Sequence, residues 1–402
     1  MKEAYIIDAV RTPVGKLGGS LSGIRADDLA AVPIKALLEK VPQLPKDAIE
    51  DVIIGCHNQA GEDNRNVARM ALLLAGLPYT VPGETVNRLC SSGMSTIVHA
   101  NRAIKADDGD VFIAGGMEHM TRGPLVISKA AKPFGLDHKM ENSTFGWRFV
   151  NKKLHEMYGT DAMGVTAENL ADMYNISRED QDKFAYWSQM KAAKAQADGI
   201  LAEEIIPVVM PQRKGDPIIA DQDEFIRPDT TLEGLAKLRA VFKKENGTVT
   251  AGNASGLNDG AAAMLIASEE GAKTHGLQPR ARIVSSGVVG VEPRIMGIGP
   301  VGATKKALKK AGLTLDQMDV IELNEAFAAQ SLACTRELGL ADDDARVNPN
   351  GGAIAIGHPL GMSGTRIVQA AVNQLHRTNG KYALATMCIG VGMGYAVILE
   401  KM

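Results

Sequence analysis

The chain has 402 residues, with 44 lysines and arginines against 47 aspartates and glutamates and a formal net charge of −3. That length predicts two or three lobes with ample core, and the balanced charge argues against a nucleic acid as partner. Glycine is abundant, at 42 residues, whereas aromatic residues make up only 4% of the chain. Such a composition is typical of an α/β enzyme with an aliphatic core and many tight turns.

The four cysteines, Cys56, Cys90, Cys334 and Cys388, include no Cys-x-x-Cys pair. Their spacing predicts neither a cysteine-based zinc site nor a disulfide framework, and we expect no bound metal. A reducing, cytoplasmic location suits such a chain. The amino-terminal residues contain only a short apolar run before Asp8, and no stretch approaches the length of a membrane-spanning helix. We therefore expect neither a targeting segment nor a membrane partner.

Two patterns in the first half of the chain recur about 270 residues later. Residues 47–54 and 316–323 each read as a turn followed by a buried strand. Residues 93–109 and 364–380 each read as a helix that begins and ends near glycine, and an apolar strand follows both. We interpret the chain as a duplicated α/β half with parallel strands and crossover helices.

Residues 120–250 differ in character from the two halves, because they contain polar helices, such as the one predicted over 178–199, and few apolar strands. We expect a loop domain that closes over a site. Residues 1–119 and 251–268 would then form the amino-terminal half, and residues 269–402 the carboxy-terminal half. A separate third domain with its own role is the alternative.

Cys90 lies between an extended run and a predicted helix that carries Met94, Ile97 and Val98 at helical spacing. A thiol at a helix amino terminus meets the positive end of the helix dipole and free N–H groups, which favour the thiolate. Cys90 is therefore a candidate nucleophile. The alternative is a packed core cysteine, since cysteine is among the most frequently buried residue types.

Three further candidates lie in the second half. His358 follows a glycine-dense loop, at the place in the repeat that Cys90 occupies in the first half, and the two would form a thiolate–imidazolium pair. Cys388 ends a predicted strand beside three glycines, where its thiol could move a proton and backbone N–H groups could bind an oxyanion. Asn324 follows a strand at the edge where α/β ligands collect. The alternatives are an ordinary core or surface histidine for His358 and a buried strand cysteine for Cys388.

Taken together, these segments resemble the thiolase family from residues 8–13 (Asp-Ala-Val-Arg-Thr-Pro) through residues 388–390 (Cys-Ile-Gly). The resemblance implies the thiolase fold, in which two βαβαβαββ-like halves stack as α-β-α-β-α layers with a loop domain over the active site. It also implies a homo-oligomer, either a dimer or a tetramer. Acyl-CoA and coenzyme A would be substrates, and no cofactor would be tightly bound.

The resemblance assigns a role to each candidate. Cys90 matches the acyl-accepting nucleophile, His358 its activator, and Cys388 the acid/base that handles the substrate α-proton. Asn324 matches the residue holding a water that, with His358, forms one oxyanion hole. The backbone N–H groups of Cys90 and Gly390 match the groups that form the second oxyanion hole. The matching substrate contacts are Ser255 in the pantetheine loop, Met163 and Met296 in the apolar walls, Phe327 at the acyl site and Arg227 near the adenine end.

Several departures favour a degradative member of that family over a biosynthetic one. Ala162 takes the place of a histidine typical of biosynthetic acetoacetyl-CoA thiolases, and Val391 takes the place of their middle glycine in the carboxy-terminal loop. Residues 145–149 (Phe-Gly-Trp-Arg-Phe) resemble a segment of 3-oxoadipyl-CoA thiolases. Arg148 is therefore a candidate partner for a distal substrate carboxylate, with a surface or loop-anchoring arginine as the alternative.

The expected reaction is thiolytic cleavage of a 3-oxoacyl-CoA through an acyl-cysteine at Cys90, with acetoacetyl-CoA synthesis as the alternative. A decarboxylating ketosynthase shares the Cys-Ser-Ser-Gly segment, but it would carry a second catalytic histidine where this chain has Asn324 or Cys388. A non-catalytic acyl-CoA-binding relative would be expected to lose the reactive thiols, and both are present.

Overall fold

The computed structural model describes residues 2–402, and its helices and strands follow the order that the sequence repeat predicts. Within these residues the strands are β1 (Ala4–Arg11), β2 (Gly15–Lys16), β3 (Asp51–Gly55), β4 (Gly83–Val86), β5 (Val111–His119), β6 (Leu125–Ile127), β7 (Met140–Asn142), β8 (Val208–Met210), β9 (Ile218–Ala220), β10 (Asn258–Ser268), β11 (Ala281–Gly290), β12 (Val320–Leu323), β13 (Tyr382–Ile389) and β14 (Met393–Lys401).

The α-helices described over the same range are α1 (Ala26–Lys40), α2 (Val67–Leu74), α3 (Ser92–Lys105), α4 (Lys152–Tyr158), α5 (Met163–Met173), α6 (Arg178–Ala197), α7 (Leu232–Ala236), α8 (Glu269–Thr274), α9 (Gly299–Ala311), α10 (Ala328–Glu337), α11 (Ala353–Ile356) and α12 (Leu360–Thr378). Short 3-10 helices occupy Ser20–Gly23, Lys46–Ala48, Pro293–Ile298 and Leu315–Gln317. None of the helices in residues 2–402 is long and apolar enough to cross a membrane.

Both halves contribute to one mixed sheet, in the order β12-β13-β14-β11-β1-β10-β5-β3-β4, with β2 added beside β10. The halves join where Tyr5 pairs with Arg282 and Ile6 with Ala281. The expectation of parallel strands is correct for β3–β4, β3–β5 and β12–β13. It is wrong for the remaining main-sheet pairs, which are antiparallel. Only residues 390–392 connect β13 to β14, which is too short for a crossover helix.

Each half-sheet buries both of its faces, because its side chains alternate between them. On β5, Val111 packs towards α1 and α2, whereas the adjacent Phe112 packs towards α3 and α12. On β13, Leu384 packs towards α9, whereas its neighbours Ala383 and Ala385 face the same α3–α12 layer. The layers are therefore α1/α2, first half-sheet, α3/α12, second half-sheet and α9/α10, and the predicted α-β-α-β-α architecture is confirmed.

The matched helices α3 and α12 cross with their backbones in contact. A Cβ atom on Gly93 would lie 2.5 Å from the carbonyl oxygen of Gly361, and one on Gly364 would lie 2.4 Å from the amide nitrogen of Met94. No real Cβ atom tolerates such distances, so glycine at both positions is what permits this approach. The crossing places the first turns of the two helices side by side.

Residues 120–250 form the hairpins β6–β7 and β8–β9 together with helices α4 to α7. The polar helix predicted over 178–199 is α6, and the hydroxyl of Ser177 caps it by accepting a hydrogen bond from the amide of Asp180 at 3.0 Å. Leu170 of α5 and Phe184 of α6 share a hydrophobic cluster with Leu332 of α10. Helices α5 and α6 thus pack on the second half, whereas Val208 and Ala220 of the β8–β9 hairpin pack in the core of the first half. The exact loop-domain boundaries stay a prediction.

Candidate active site

A largely apolar cavity of about 300 Å³ lies where the two halves meet residues from the 120–250 segment. Seven of the residues predicted from sequence line it: Cys90, Met163, Ser255, Met296, Phe327, His358 and Cys388. The structure therefore brings both candidate thiols and the candidate imidazole into one chamber. Two aromatic side chains complete its apolar walls: Phe242, which the sequence analysis missed, and Phe145, which it named only as part of the 145–149 segment.

Cys90 occupies a tight turn immediately before α3. The preceding residue, Leu89, has a φ of 49°, a left-handed conformation that costs a non-glycine residue about 1 to 2 kcal/mol. The hydroxyl of Ser92 holds this turn, because it accepts from the amide of Arg88 at 2.9 Å and donates to the carbonyl of Leu89 at 2.6 Å. Backbone strain at this point is typical of a functional turn.

Burial opposes a charge on either member of the Cys90–His358 pair. Burial raises the pKa of the Cys90 thiol to about 11, although the N–H groups of Gly390 and Cys90 itself lower it in part. Burial also lowers the pKa of His358 to about 3, and the positive charge of Arg366 adds to that effect. Burial therefore favours the neutral form of both groups, whereas the helix terminus favours the thiolate, and the thiolate–imidazolium pair stays a prediction.

Hydrogen bonds fix the orientation and tautomer of His358. Its Nδ1 lies 2.6 Å from the Oγ of Ser363, and that hydroxyl donates its only hydrogen to the carbonyl of Pro359 at 2.9 Å. Oγ must then accept from Nδ1–H, which leaves the lone pair on Nε2. Nε2 lies 3.4 Å from the Nδ2 of Asn324. The backbone amide of His358 donates to the Oδ1 of Asn258 at 2.9 Å.

Asn324 is buried directly after β12 and does not line the cavity itself. Its backbone N–H donates to the backbone carbonyl of Thr386 at 3.0 Å, which fixes the residue beside β13. Its Oδ1 is buried and accepts no hydrogen bond from residues 2–402. The side chain thus presents a donor towards His358 and keeps an acceptor available to a ligand or water.

Cys388 lies near the end of β13 and is 1% exposed. Burial raises the pKa of its thiol well above the usual range, and the neighbouring Cys90 raises it further. Cys388 is therefore a protonated thiol at pH 7, the form that can donate a proton. The following turn contains Gly390 and then Val391, whose φ of 64° is a second left-handed conformation at a bulky residue.

A second cavity, of about 220 Å³, also reaches Cys90. The left-handed residues Leu89 and Val391 both line it, together with Gly390. Arg148 lines it as well, so the structure places this arginine at a pocket wall and not only on the surface. Arg148 also anchors its own loop, because its Nη1 donates to the carbonyl of Ser143 at 3.2 Å.

Arg227 lies outside both cavities and is exposed. Its guanidinium lies 5.6 Å from the ring centroid of Phe225, and its backbone amide donates to the Oε1 of Gln189 at 2.8 Å. Phe225 in turn abuts Gly256, which lines the 300 Å³ cavity. A contact of Arg227 with the adenine end of coenzyme A stays a prediction.

Glu118 is a buried residue of the site region that the sequence analysis missed. Its carboxylate accepts the backbone N–H groups of His57, Asn58 and Gly361 at 2.9, 2.9 and 3.0 Å. Burial nevertheless raises its pKa to about 7. Glu118 thus ties the loop after β3 to the first turn of α12.

Across residues 2–402, no group of three or more His, Cys, Asp or Glu side chains is placed to hold a metal ion.

A cysteine and a histidine just ahead of two crossing helices, with a second thiol in the same chamber, form an arrangement typical of cysteine-dependent acyl transfer. The family model for the thiolase N-terminal domain matches residues 4–270, and that for the thiolase C-terminal domain matches residues 277–401. The chain belongs to the thiolase family and is an acyltransferase. Thiolases use coenzyme A as a substrate and carry no tightly bound cofactor.

Full-length relatives and a solved structure agree with this assignment. The chain is 62% identical to a beta-ketoadipyl-CoA thiolase of Acinetobacter baylyi over 401 residues, covering 100% of both chains. It is 61% identical to the 3-oxoadipyl-CoA/3-oxo-5,6-dehydrosuberyl-CoA thiolase of Escherichia coli K12, again covering 100% of both. Human mitochondrial 3-ketoacyl-CoA thiolase in complex with CoA matches with a TM-score of 0.91 and 42% identity, covering 100% of this chain and 98% of that one.

Proposed function

We propose that this enzyme cleaves 3-oxoadipyl-CoA with coenzyme A, giving acetyl-CoA and succinyl-CoA. The observation that carries the reaction is the shared cavity of Cys90, His358 and Cys388. Identity of more than 60% to full-length relatives named for 3-oxoadipyl-CoA supports the choice of substrate. Cleavage of that six-carbon chain between C2 and C3 leaves two carbons on coenzyme A and four on the enzyme.

In the first stage, the sulfur of Cys90 attacks the C3 carbonyl carbon of the substrate. The proton of the thiol passes to Nε2 of His358, the nitrogen that Ser363 leaves unprotonated. The N–H groups of Cys90 and Gly390, which act on the Cys90 sulfur in the resting site, would hold the oxyanion that develops on C3.

The C2–C3 bond then breaks, and its electron pair moves to C2 to give the enolate of acetyl-CoA. The N–H of the protonated His358 and the water that Asn324 would hold stabilise the enolate oxygen. Cys388 donates its proton to C2, which releases acetyl-CoA and leaves a thiolate.

The second stage transfers the succinyl group from Cys90 to free coenzyme A. The thiolate of Cys388 takes the proton of the coenzyme A thiol, and the resulting sulfur attacks the Cys90 thioester. Cys90 leaves as a thiolate and recovers its proton from His358, so all three groups return to their starting protonation states.

Coenzyme A would enter beside the loop that carries Ser255, between Met163 and Met296. That loop is fixed by two bonds to one carbonyl, since the amide and the hydroxyl of Ser255 donate to the carbonyl of Ala326 at 3.0 and 3.1 Å. Phe327 follows directly and lines the same chamber. The adenine end would extend outwards towards the exposed Arg227.

We also propose a cytoplasmic homo-oligomer. Leu125, Ile127 and Met140 on the β6–β7 hairpin are 59%, 63% and 63% exposed, which is unusual for three neighbouring apolar side chains. A second copy of the chain could cover them. Light scattering would distinguish a monomer, which contradicts this part of the proposal, from a dimer or tetramer.

The alternative function is condensation of two acetyl-CoA molecules to acetoacetyl-CoA, since the chemistry is reversible. The deciding experiment compares kcat/KM for acetoacetyl-CoA, 3-oxohexanoyl-CoA and 3-oxoadipyl-CoA in the presence of coenzyme A. We expect the highest value for 3-oxoadipyl-CoA. The highest value for acetoacetyl-CoA would favour the biosynthetic role, and no turnover of any substrate would indicate an acyl-CoA-binding protein.

A further inference from the structure

The 220 Å³ cavity is suited to receive the acyl group that stays on Cys90. Coenzyme A occupies the other chamber in the proposed reaction, and Cys90 is among the few residues that line both. An acyl chain attached to its sulfur can therefore extend into the second cavity while coenzyme A enters from the first. The walls near Cys90 are formed by Leu89, Gly390 and Val391, which offer space but no charge.

Farther along the wall, the positive charge of Arg148 has no acidic partner among the described residues. No salt bridge is formed by this residue within residues 2–402, and Nη1 makes its hydrogen bond to the Ser143 carbonyl. The described residues that line the cavity include no aspartate or glutamate. The Nε and Nη2 donors of a half-buried guanidinium are thus available to a ligand, and that fork matches the two oxygens of a carboxylate.

His57 adds a polar but uncharged group to the same wall. Its ring makes no hydrogen bond to a described residue, and Nδ1 is buried 4.0 Å from the Oε1 of Glu118. Burial and, to a smaller extent, the charge of Arg148 lower the pKa of His57 to about 4. The imidazole is therefore neutral at pH 7, and Arg148 supplies the cationic charge of the cavity.

We propose that Arg148 binds the terminal carboxylate of the acyl chain and so determines that the enzyme prefers a dicarboxylyl-CoA, with the ring of His57 as the polar wall beside it. This inference rests on the proposed thiolysis, because the succinyl group on Cys90 is the group that would reach Arg148. Arg148 is a specificity-determining residue in this arrangement. It takes no part in the covalent steps.

The test compares 3-oxoadipyl-CoA with 3-oxohexanoyl-CoA, which has the same chain length but ends in a methyl group. We expect Arg148→Met to lower kcat/KM for 3-oxoadipyl-CoA about 10- to 100-fold, the loss expected for one or two charge-assisted hydrogen bonds. The value for 3-oxohexanoyl-CoA should stay the same or rise. Arg148→Lys should retain part of the preference, and Arg213→Met, at an exposed arginine, should change neither value.

An equal loss with both substrates after Arg148→Met would overturn the inference, because it would indicate that the arginine only holds its loop. An unchanged ratio between the two substrates would overturn it as well. Turnover by the wild-type enzyme in either case would leave the proposed thiolysis intact.

A binding measurement tests the role of Arg148 independently of the proposed thiolysis, because it needs no turnover. Calorimetry with a Cys90→Ala enzyme, which cannot be acylated at that position, would compare succinyl-CoA with butyryl-CoA. We expect succinyl-CoA to bind more tightly, and the added Arg148→Met change to abolish the difference. If the wild-type enzyme shows no turnover but the Cys90→Ala enzyme still prefers succinyl-CoA, the proposed thiolysis is contradicted and the role of Arg148 is supported. No preference for succinyl-CoA would contradict that role.

Discussion

The Nδ1 of His358 and the Oγ of Ser363 lie 2.6 Å apart, and this single contact determines which nitrogen of the imidazole can act as a base. Ser363 lies in the first turn of α12, where its hydroxyl is also bonded to the carbonyl of Pro359. The orientation of the ring is thus set by the same helix that packs against α3. Ser363 is a positioning residue, since it acts on the reacting groups only through His358.

Ser363→Ala should lower the rate of Cys90 acylation about tenfold or more, equivalent to about 1.4 kcal/mol in the barrier. The reason is that Nδ1–H loses its acceptor, so the tautomer with the free Nε2 is no longer favoured. The measurement is the rate of acetyl transfer from acetyl-CoA. Ser331→Ala, at another buried serine, is the matched control and should acylate at the wild-type rate. Equal rates in the two variants would contradict the role of Ser363.

Cys90 should be the residue that carries the acyl group. Mass spectrometry of the enzyme mixed with acetyl-CoA is expected to find the acetyl group on the peptide containing Cys90. Cys90→Ala should abolish both the modification and turnover, whereas Cys334→Ala, at a buried cysteine that lines neither cavity, should retain both. An active Cys90→Ala enzyme, or acetylation found only on Cys388, would rule out the assignment.

Replacement of the second thiol, Cys388, should block a different stage of the reaction from replacement of Cys90. Cys388→Ala is expected to retain acetylation of Cys90, because attack on a thioester needs only Cys90, His358 and the N–H groups. Exchange of the acetyl methyl protons with deuterated water should fall by about 10² to 10⁴, the usual contribution of general acid–base catalysis. Parallel loss of acetylation and exchange would mean that Cys388 mainly supports the fold.

If burial keeps Cys90 and His358 neutral in the resting enzyme, alkylation of Cys90 should show a specific pH dependence. Only the thiolate reacts with iodoacetamide, and a pKa of about 11 leaves very little thiolate at Cys90 at pH 7. The alkylation rate should therefore rise about tenfold per pH unit from pH 7 to 10, without a plateau in that range. A plateau that begins near pH 7 would instead indicate a preformed thiolate–imidazolium pair. Peptide mapping restricts the measurement to Cys90.

Val391→Gly should stabilise the protein by about 0.5 to 1 kcal/mol, because glycine relieves the left-handed strain at φ 64° but costs chain entropy. Val209→Gly, at an exposed position of the regular strand β8, is the control and should destabilise. Urea denaturation measures both. A loss of stability in Val391→Gly as large as that of Val209→Gly would show that the turn is not strained.

Local patterns in the sequence predicted most of the fold because each half repeats the same turn, strand and glycine-bounded helix. They also predicted Cys90, His358 and Cys388 of the main cavity. Met163, Ser255, Met296 and Phe327 were assigned only through the resemblance to the thiolase family. The effect of burial on the pKa of Cys90 was beyond such reasoning, because a helix amino terminus is visible in sequence whereas the degree of burial is not. Asn258 and Glu118 were missed because their partners, His358 and Gly361, are at least 100 residues away.

The reciprocal contacts of Gly93 and Gly364 bear on the ancestry of this active site. Each glycine lets one helix meet the other at an equivalent place, which is the geometry of a self-complementary, twofold interface. A single half could have formed the same crossing with a second copy of itself. Such a homodimer would carry identical residues ahead of both helices. Fusion of two copies into one chain removes that constraint, so that a thiol can precede helix α3 while an imidazole precedes the matched helix α12.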